Sequence, residues 1–480
     1  MSINKNALRF TLLLLIIILI SVTGYDYDIN EWDEARHGAN AFFMSKNGDY
    51  VNLFFDNMPD TWIAKPPLLT WMIVGSYKIL GYNELALRLP TYICVIFFFS
   101  TLYRFICLYT KPVVAFSGCL LTASCKLILG WHSGLTADYD MILTLMLLLS
   151  VFHFAQYIDF DKKQSIYLSA MFIGIAFYSK GTAAFVLIPG IIMYTAIRGK
   201  LRTILLSKEI WIALCLLIGI IGSWLVILSV YGMKYESSYY KSNNAITTMF
   251  FHDTFRRLAD SSFEDKSTPD DFFPLTVLDV RLNLWNYLLY LLLITGIVQW
   301  WREKKNMKTV LGNEKNRMVL LSACMILPFT LVMSISTTKH DWYLIPAYVF
   351  IPPIIIDVIL RIGKQAKVMY YVFGLVLAFT FIRHVLYLSN QPTSLHTHLN
   401  RENPYLKNCE KLVTISIPRH HVYLYLQWMD LHTDRVHSAD ELNKYAGRTL
   451  LIDKTQMKDI NPNQITILQG FDEFILARIN

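Results

Sequence analysis

From Leu8 to about Leu388 the chain returns repeatedly to apolar runs of membrane-spanning length, and beyond Asn390 it has none. A spanning helix needs ~20 apolar residues to cross a ~30 Å hydrocarbon core, so this pattern predicts a polytopic α-helical membrane protein with a soluble tail. The charge content agrees. Only 17% of residues are charged, against about 25% in an ordinary soluble domain. The expected organisation is a transmembrane domain over 1–388, with about 11–13 spanning helices, followed by a small C-terminal α/β domain over 389–480.

Loop charge sets the orientation. Lys5/Arg9, Arg104/Lys111, Lys162/Lys163, the Arg198–Lys208 group, the Arg302–Arg317 group and Arg361/Lys364/Lys367 mark one side as cytoplasmic. The net charge of +8 is carried mainly there, which removes the reason to invoke nucleic acid. The first apolar run, Phe10 to Val22, lacks a convincing small-x-small cleavage site and is read as a retained helix. Spans are expected at about 8–24, 89–108, 112–130, 139–157, 165–180, 182–197, 209–231, 282–301, 317–336, 343–362 and 367–388.

The outward connections then include a first loop at 25–87, a long loop at 232–281, and the tail. Leu68 to Leu80 is about 13 residues, or about 20 Å of helix. That is too short to span, so an interfacial helix is expected there, with Trp62, Trp71 and Tyr77 at headgroup depth. A second helix is expected over 34–46, capped by Asp33 and closed by Lys46-Asn47-Gly48. In the tail, strands at 412–417, 434–437 and 449–452, helices at 420–429 and 439–446, and a last strand pair within 465–479 form an alternating pattern.

Six of the seven cysteines lie in apolar runs and Cys409 is alone in the tail, which leaves no disulfide framework and no CxxC metal pattern. His252-Asp253 and His340-Asp341 put imidazole beside carboxylate, donor types that suit divalent cations, but at no recognised ligand spacing. No metal ligand is assigned, and a divalent cation is the one cofactor this chemistry would admit. His37, His396, His398, His420, His421, His432 and His437 are read as surface residues.

Two outward acid groups stand out. Asp33-Glu34-Ala35-Arg36 pairs carboxylates with a cation able to hold phosphate oxygens. Thr136-Ala137-Asp138-Tyr139-Asp140 opens a span, where ionisable groups are costly and often functional. Helix capping is the bland alternative for each. Lys65, Lys180, Lys339, Arg256 and Arg257 are outward cations against the charge trend. Snorkelling to headgroups would account for each lysine singly; together they suggest an anion site.

Asp33-Glu34-Ala35-Arg36, Gly48-Asp49-Tyr50, Lys65-Pro66-Pro67-Leu68, Asn83-Glu84-x-x-x-Arg88-Leu89-Pro90, Ala137-Asp138, Ser179-Lys180-Gly181 and Lys339-x-x-x-Tyr343-x-x-Pro346 occur in this order. On this ordered set the chain resembles, over about residues 8 to 388, the bacterial GT-C membrane glycosyltransferases. The group in question contains the lipid A aminoarabinose transferase and relatives of the protein O-mannosyltransferases. His37, where the family often has tyrosine, and His340-Asp341-Trp342 depart from the pattern.

The resemblance implies inverting transfer of a sugar from a polyprenyl phosphate donor to a lipid A, protein or glycan acceptor. The reaction would take place on the periplasmic face of a bacterial inner membrane, among membrane lipids and without nucleic acid. It implies Asp33 and Asp138 as catalytic acids. Glu34, Arg36, Lys65, Lys180, Arg257, Lys339 and Tyr343 would be the donor-phosphate and substrate-binding residues. A polytopic lipid or sugar transporter, or a flippase, is the alternative, although transporters place ionisable groups at mid-membrane depth and show half-repeats.

Overall fold

The computed structural model describes residues 27–56, 58–60, 65–233, 245–250, 254, 272–282, 284–291, 293–294, 312–363, 368–390, 394–415, 419–471 and 473–480. The expected span at 8–24, together with Arg256, Arg257 and the His252-Asp253 pair, lies outside them.

In chain order the principal helices begin with α1 (Asp33–Asn47), α2 (Leu68–Leu80), α3 (Glu84–Tyr109), α4 (Pro112–Ala123), α5 (Tyr139–Phe160) and α6 (Ser165–Lys180). They continue with α7 (Ile188–Ile197), α8 (Lys208–Tyr231), α9 (Phe273–Leu282), α10 (Arg317–Ile335), α11 (Ile351–Gly363), α12 (Val368–Ser389) and α13 (His420–Trp428). The tail strands are β1 (Lys411–Ile415), β2 (His432–Val436), β3 (Thr449–Asp453), β4 (Ile465–Phe471) and β5 (Phe474–Ile479). The chain divides into two compact units.

The first unit contains Pro59–Leu69 and Thr91–Tyr387 and is a helical membrane bundle. Its inner helix is α5, which is mostly buried and packs on α6, while α6 packs on α8. By contrast, α8 leaves Trp211, Ile218, Val226 and Val230 exposed, a surface that lipid rather than water accommodates. Among the described residues five helices are long and apolar enough to cross a membrane, or six if one bent pair is a single span.

Several expected spans differ in detail. The run at 112–130 is helical only to Ala123, and residues 124–138 are turns. The run at 182–197 opens as a 3-10 turn, Gly181–Phe185, and its α-helix starts at Ile188, with Pro189 in the first turn where no N–H is needed. The run at 343–362 is broken: Asp341–Tyr348 and Ile351–Ile359 meet at 51°, just before Pro352-Pro353, which lack N–H donors. Helix α9 stands inside the expected 232–281 loop, ahead of the anticipated span at 282–301.

The second unit contains Gly24–Met58, Thr70–Pro90 and Leu388–Asn480, so two parts of the first loop fold with the tail. Helix α1 begins after Trp32, not Asp33, and carries Asp33 and Glu34 in its first turn, where the helix dipole favours carboxylates. It ends at Gly48, whose φ of +71° supplies the left-handed cap. α1 packs against α13.

The tail sheet has the order β2-β1-β3-β5-β4, with β1 parallel to β2 and β3, and β5 antiparallel to β3 and β4. The middle strand β3 is buried at Leu450, Leu451 and Ile452, the continuous apolar run that a strand covered on both faces requires. Val413, Leu442, Ile475 and Ala477 complete its core.

Candidate active site

In the membrane unit a cleft of about 310 Å³ is lined by Lys65, Asp140, Lys180, Thr338 and Tyr343 among apolar walls that include Val186, Phe329 and Met333. Asp140 stands in the first turn of α5 and Lys180 at the end of α6, so the α5–α6 hairpin brings them face to face. Lys180 Nζ donates to both carboxylate oxygens of Asp140, at 2.5 and 2.6 Å, with both side chains largely buried. Lys180 also lies 5.1 Å from the Tyr343 ring, and Lys65 lies 5.4 Å from the Tyr139 ring.

Gly181 joins these parts. At φ +59° and ψ −130° it takes a conformation that side-chain-bearing residues avoid. A Cβ there would meet Met249 at 3.1 Å and Pro66 at 3.8 Å. Ser179 Oγ donates to the Tyr139 carbonyl at 3.2 Å, which anchors the end of α6 to the start of α5. The Ser179-Lys180-Gly181 and Lys65-Pro66 segments therefore form one wall.

The turns before α5 make a second polar group. Asp138 occupies the N-cap position of α5, yet its side chain makes no capping bond. Instead Asp138 Oδ2 accepts from Thr136 Oγ1 at 2.5 Å and lies 3.6 Å from His132 Nδ1. His132, at φ +56°, stacks on Trp342 with ring centroids 3.8 Å apart, and Trp342 stacks on His340 at 4.5 Å. Arg281 of α9 locks the arrangement, donating to the Trp131 carbonyl at 2.8 Å and to Asp341 Oδ2 at 2.7 Å.

The second unit holds Asp33, Glu34 and Arg36. Asp33 is half-buried in the first turn of α1 and is not its cap. Glu34, expected at the substrate, is fully enclosed. Its oxygens accept from Arg88 at 2.7 and 2.9 Å and from the Asn30 N–H at 2.9 Å, so this carboxylate holds the loop together. Arg36 is half-buried, with Nη1 3.4 Å from His420 Nε2.

Of the expected site residues, Lys65, Lys180 and Tyr343 meet in the cleft. Lys339 is half-buried next to the lining residue Thr338, and Arg257 lies outside the described residues. Residue-by-residue reading passed over Arg281, His132 and the Asp140–Lys180 pairing. A lone arginine among apolar residues at 281 was the available signal. The histidines read as surface residues are not uniformly on the surface. His37 and His421 are buried, and burial, with Arg419 and His420 beside it, pulls the His421 imidazole down to about 4.

Over residues 64–227 the chain matches the family described as dolichyl-phosphate-mannose-protein mannosyltransferase. No curated protein matches its sequence. Among solved structures it is similar to ArnT from Cupriavidus metallidurans bound to undecaprenyl phosphate, with a TM-score of 0.69 and 12% identity over 99% of this chain and 98% of that one. The apo state of the same protein gives 0.64 at 13% identity over 98% and 97%. The archaeal oligosaccharyltransferase AglB from Archaeoglobus fulgidus, in complex with an inhibitory peptide and a dolichol-phosphate, gives 0.53 at 10% identity, over 93% of this chain and 70% of that one.

Proposed function

From a multi-pass membrane chain with the fold of the GT-C glycosyltransferases, we propose an inverting glycosyltransferase that moves a sugar from a polyprenyl phosphate to an acceptor hydroxyl. The carrying observation is the cleft of the membrane unit, whose largely apolar walls also carry Lys65 and the Lys180–Asp140 pair. An apolar groove that also carries the cation Lys65 fits a ligand that is part prenyl chain and part phosphate. The similarity to proteins whose structures hold undecaprenyl phosphate and dolichol-phosphate supports the same donor class.

The reaction is a single displacement. The acceptor oxygen attacks the anomeric carbon, the bond from that carbon to the phosphate oxygen breaks, and the lipid phosphate leaves with the electron pair. The acceptor proton passes to Asp33, a general-base contribution of about 10²–10⁴-fold. Asp138 is the second acid, oriented by Thr136 and His132. Lys65, Arg36 and, beyond the described residues, Arg257 stabilise the growing phosphate charge, often the largest part of such catalysis. Lys180 is already neutralised by Asp140 and so shapes the phosphate end, with Tyr343 and Lys339 beside it.

The proposal places the reaction on the periplasmic face of a bacterial inner membrane, with lipid A, a protein or a glycan as acceptor. The test is reconstitution of the purified chain in liposomes with radiolabelled undecaprenyl-phosphate sugars and an envelope extract. Release of undecaprenyl phosphate with a labelled product of inverted configuration is expected. Movement of the intact donor across the bilayer, without cleavage, would replace this reading with a flippase.

A further inference from the structure

Directly before Asp33, Trp32 leaves 52% of its surface exposed, although a large aromatic ring gains by burial. Its ring lies 4.4 Å from that of His420, and His420 lies 5.0 Å from Phe55. Phe55 is backed by the buried Tyr423 at 5.1 Å. Three rings from the first loop and from α13 of the tail thus stand side by side. Arg36 closes one edge, 4.9 Å from the Phe55 ring centroid and with Nη1 3.4 Å from His420 Nε2. A guanidinium only donates, so in this pairing the imidazole Nε2 is the acceptor.

We propose that Trp32, supported by His420 and Phe55, is a stacking platform for the pyranose ring of the lipid-linked sugar, with Arg36 at its phosphate end. The inference rests on the donor chemistry proposed above. A sugar joined directly to phosphate keeps its ring within a few ångströms of the phosphate oxygens, so a cation for one and an aromatic face for the other must be neighbours. A pyranose presents an apolar C–H face, which suits an exposed indole, and a hydroxyl rim, which suits the flanking Asp33 and Arg36. Because His420 belongs to the tail, the C-terminal domain takes part in choosing the sugar.

The experiment compares the affinity of the purified full-length chain for undecaprenyl phosphate with its affinity for undecaprenyl phosphate bearing glucose, mannose or 4-amino-4-deoxyarabinose, by native mass spectrometry. The wild type should bind at least one sugar-lipid more tightly than the bare lipid phosphate, by about 3- to 10-fold. Trp32→Ala should remove most of that gain and leave affinity for the bare lipid unchanged, His420→Ala should likewise reduce the gain, and Trp32→Phe should keep most of it. A gain that survives Trp32→Ala overturns the platform, as does a wild type with no gain for any of the three sugars. An equal loss for bare and sugar-bearing lipid would make Trp32 a headgroup anchor of the kind common at membrane interfaces. A wild type that binds no undecaprenyl phosphate at all removes the donor reading, and the platform with it.

Discussion

Glu34 and Arg88 form a doubly hydrogen-bonded ion pair with both side chains fully buried, Nε to Oε1 at 2.7 Å and Nη2 to Oε2 at 2.9 Å. Arg88 also donates to the carbonyls of Tyr27 and Asp28, at 2.8 and 3.1 Å. One guanidinium thereby binds the chain leading into α1 and the first turn that carries Asp33. Removing one partner of such a pair costs ~3–5 kcal/mol, because the other charge stays buried alone. Arg88→Ala should therefore lower the unfolding temperature sharply in detergent melts. A variant that melts with the wild type would show that the pair holds nothing.

Lys65 and Lys180 line the same cleft with different expected effects. If Lys65 donates to lipid phosphate, Lys65→Ala removes a charge-assisted hydrogen bond worth ~1.5–3 kcal/mol and weakens undecaprenyl phosphate binding by about 10- to 150-fold. Lys180→Ala strips the partner from Asp140 and should lower stability more than affinity. Isothermal titration with melts on both variants checks the contrast. Unchanged binding in Lys65→Ala would move that lysine to the headgroup layer.

Gly181→Ala should loosen the cleft wall. Alanine at φ +59° and ψ −130° is strained by ~1–3 kcal/mol, and its Cβ would crowd Met249. Reduced stability and reduced lipid binding are expected together in the same preparation. Wild-type values for both would mean that the segment adopts another backbone conformation.

How much of this was legible in the chain depends on how far away each determinant lies. Apolar length and loop charge are local, so α3, α5, α6, α8 and α10 and the tail strands fall close to their expected positions. The end of α4 at Ala123 was not legible, because the turns that follow are held by Arg281 from a distant helix. Glu34 reads as a surface acid until Arg88, beyond two helices, is folded onto it. Lys65 was legible as a cleft residue because charge is conspicuous in an apolar chain. His420 was not, since its neighbours Trp32 and Phe55 come from the opposite end of the sequence.

His421 gives the tail an acid-sensitive step. In the folded chain its imidazole titrates at about 4, whereas an unfolded histidine takes up its proton near ~6.5. The unfolded state therefore binds the proton first. The associated stability is complete above about pH 6.5 and is lost as pH falls toward about 4, by roughly 3 kcal/mol in total. Amide exchange in the tail of the full chain should accelerate over that window, and His421→Phe should flatten the response. An unchanged pH profile in His421→Phe would assign the acid sensitivity to other groups.

The claim that Asp33 takes the acceptor proton is tested most directly by Asp33→Asn in the purified chain, with donor binding and single-turnover transfer measured on the same sample. Undecaprenyl-phosphate sugar should bind within a few-fold of the wild type, while transfer falls by about 10²–10⁴-fold. Transfer at close to the wild-type rate would contradict the account.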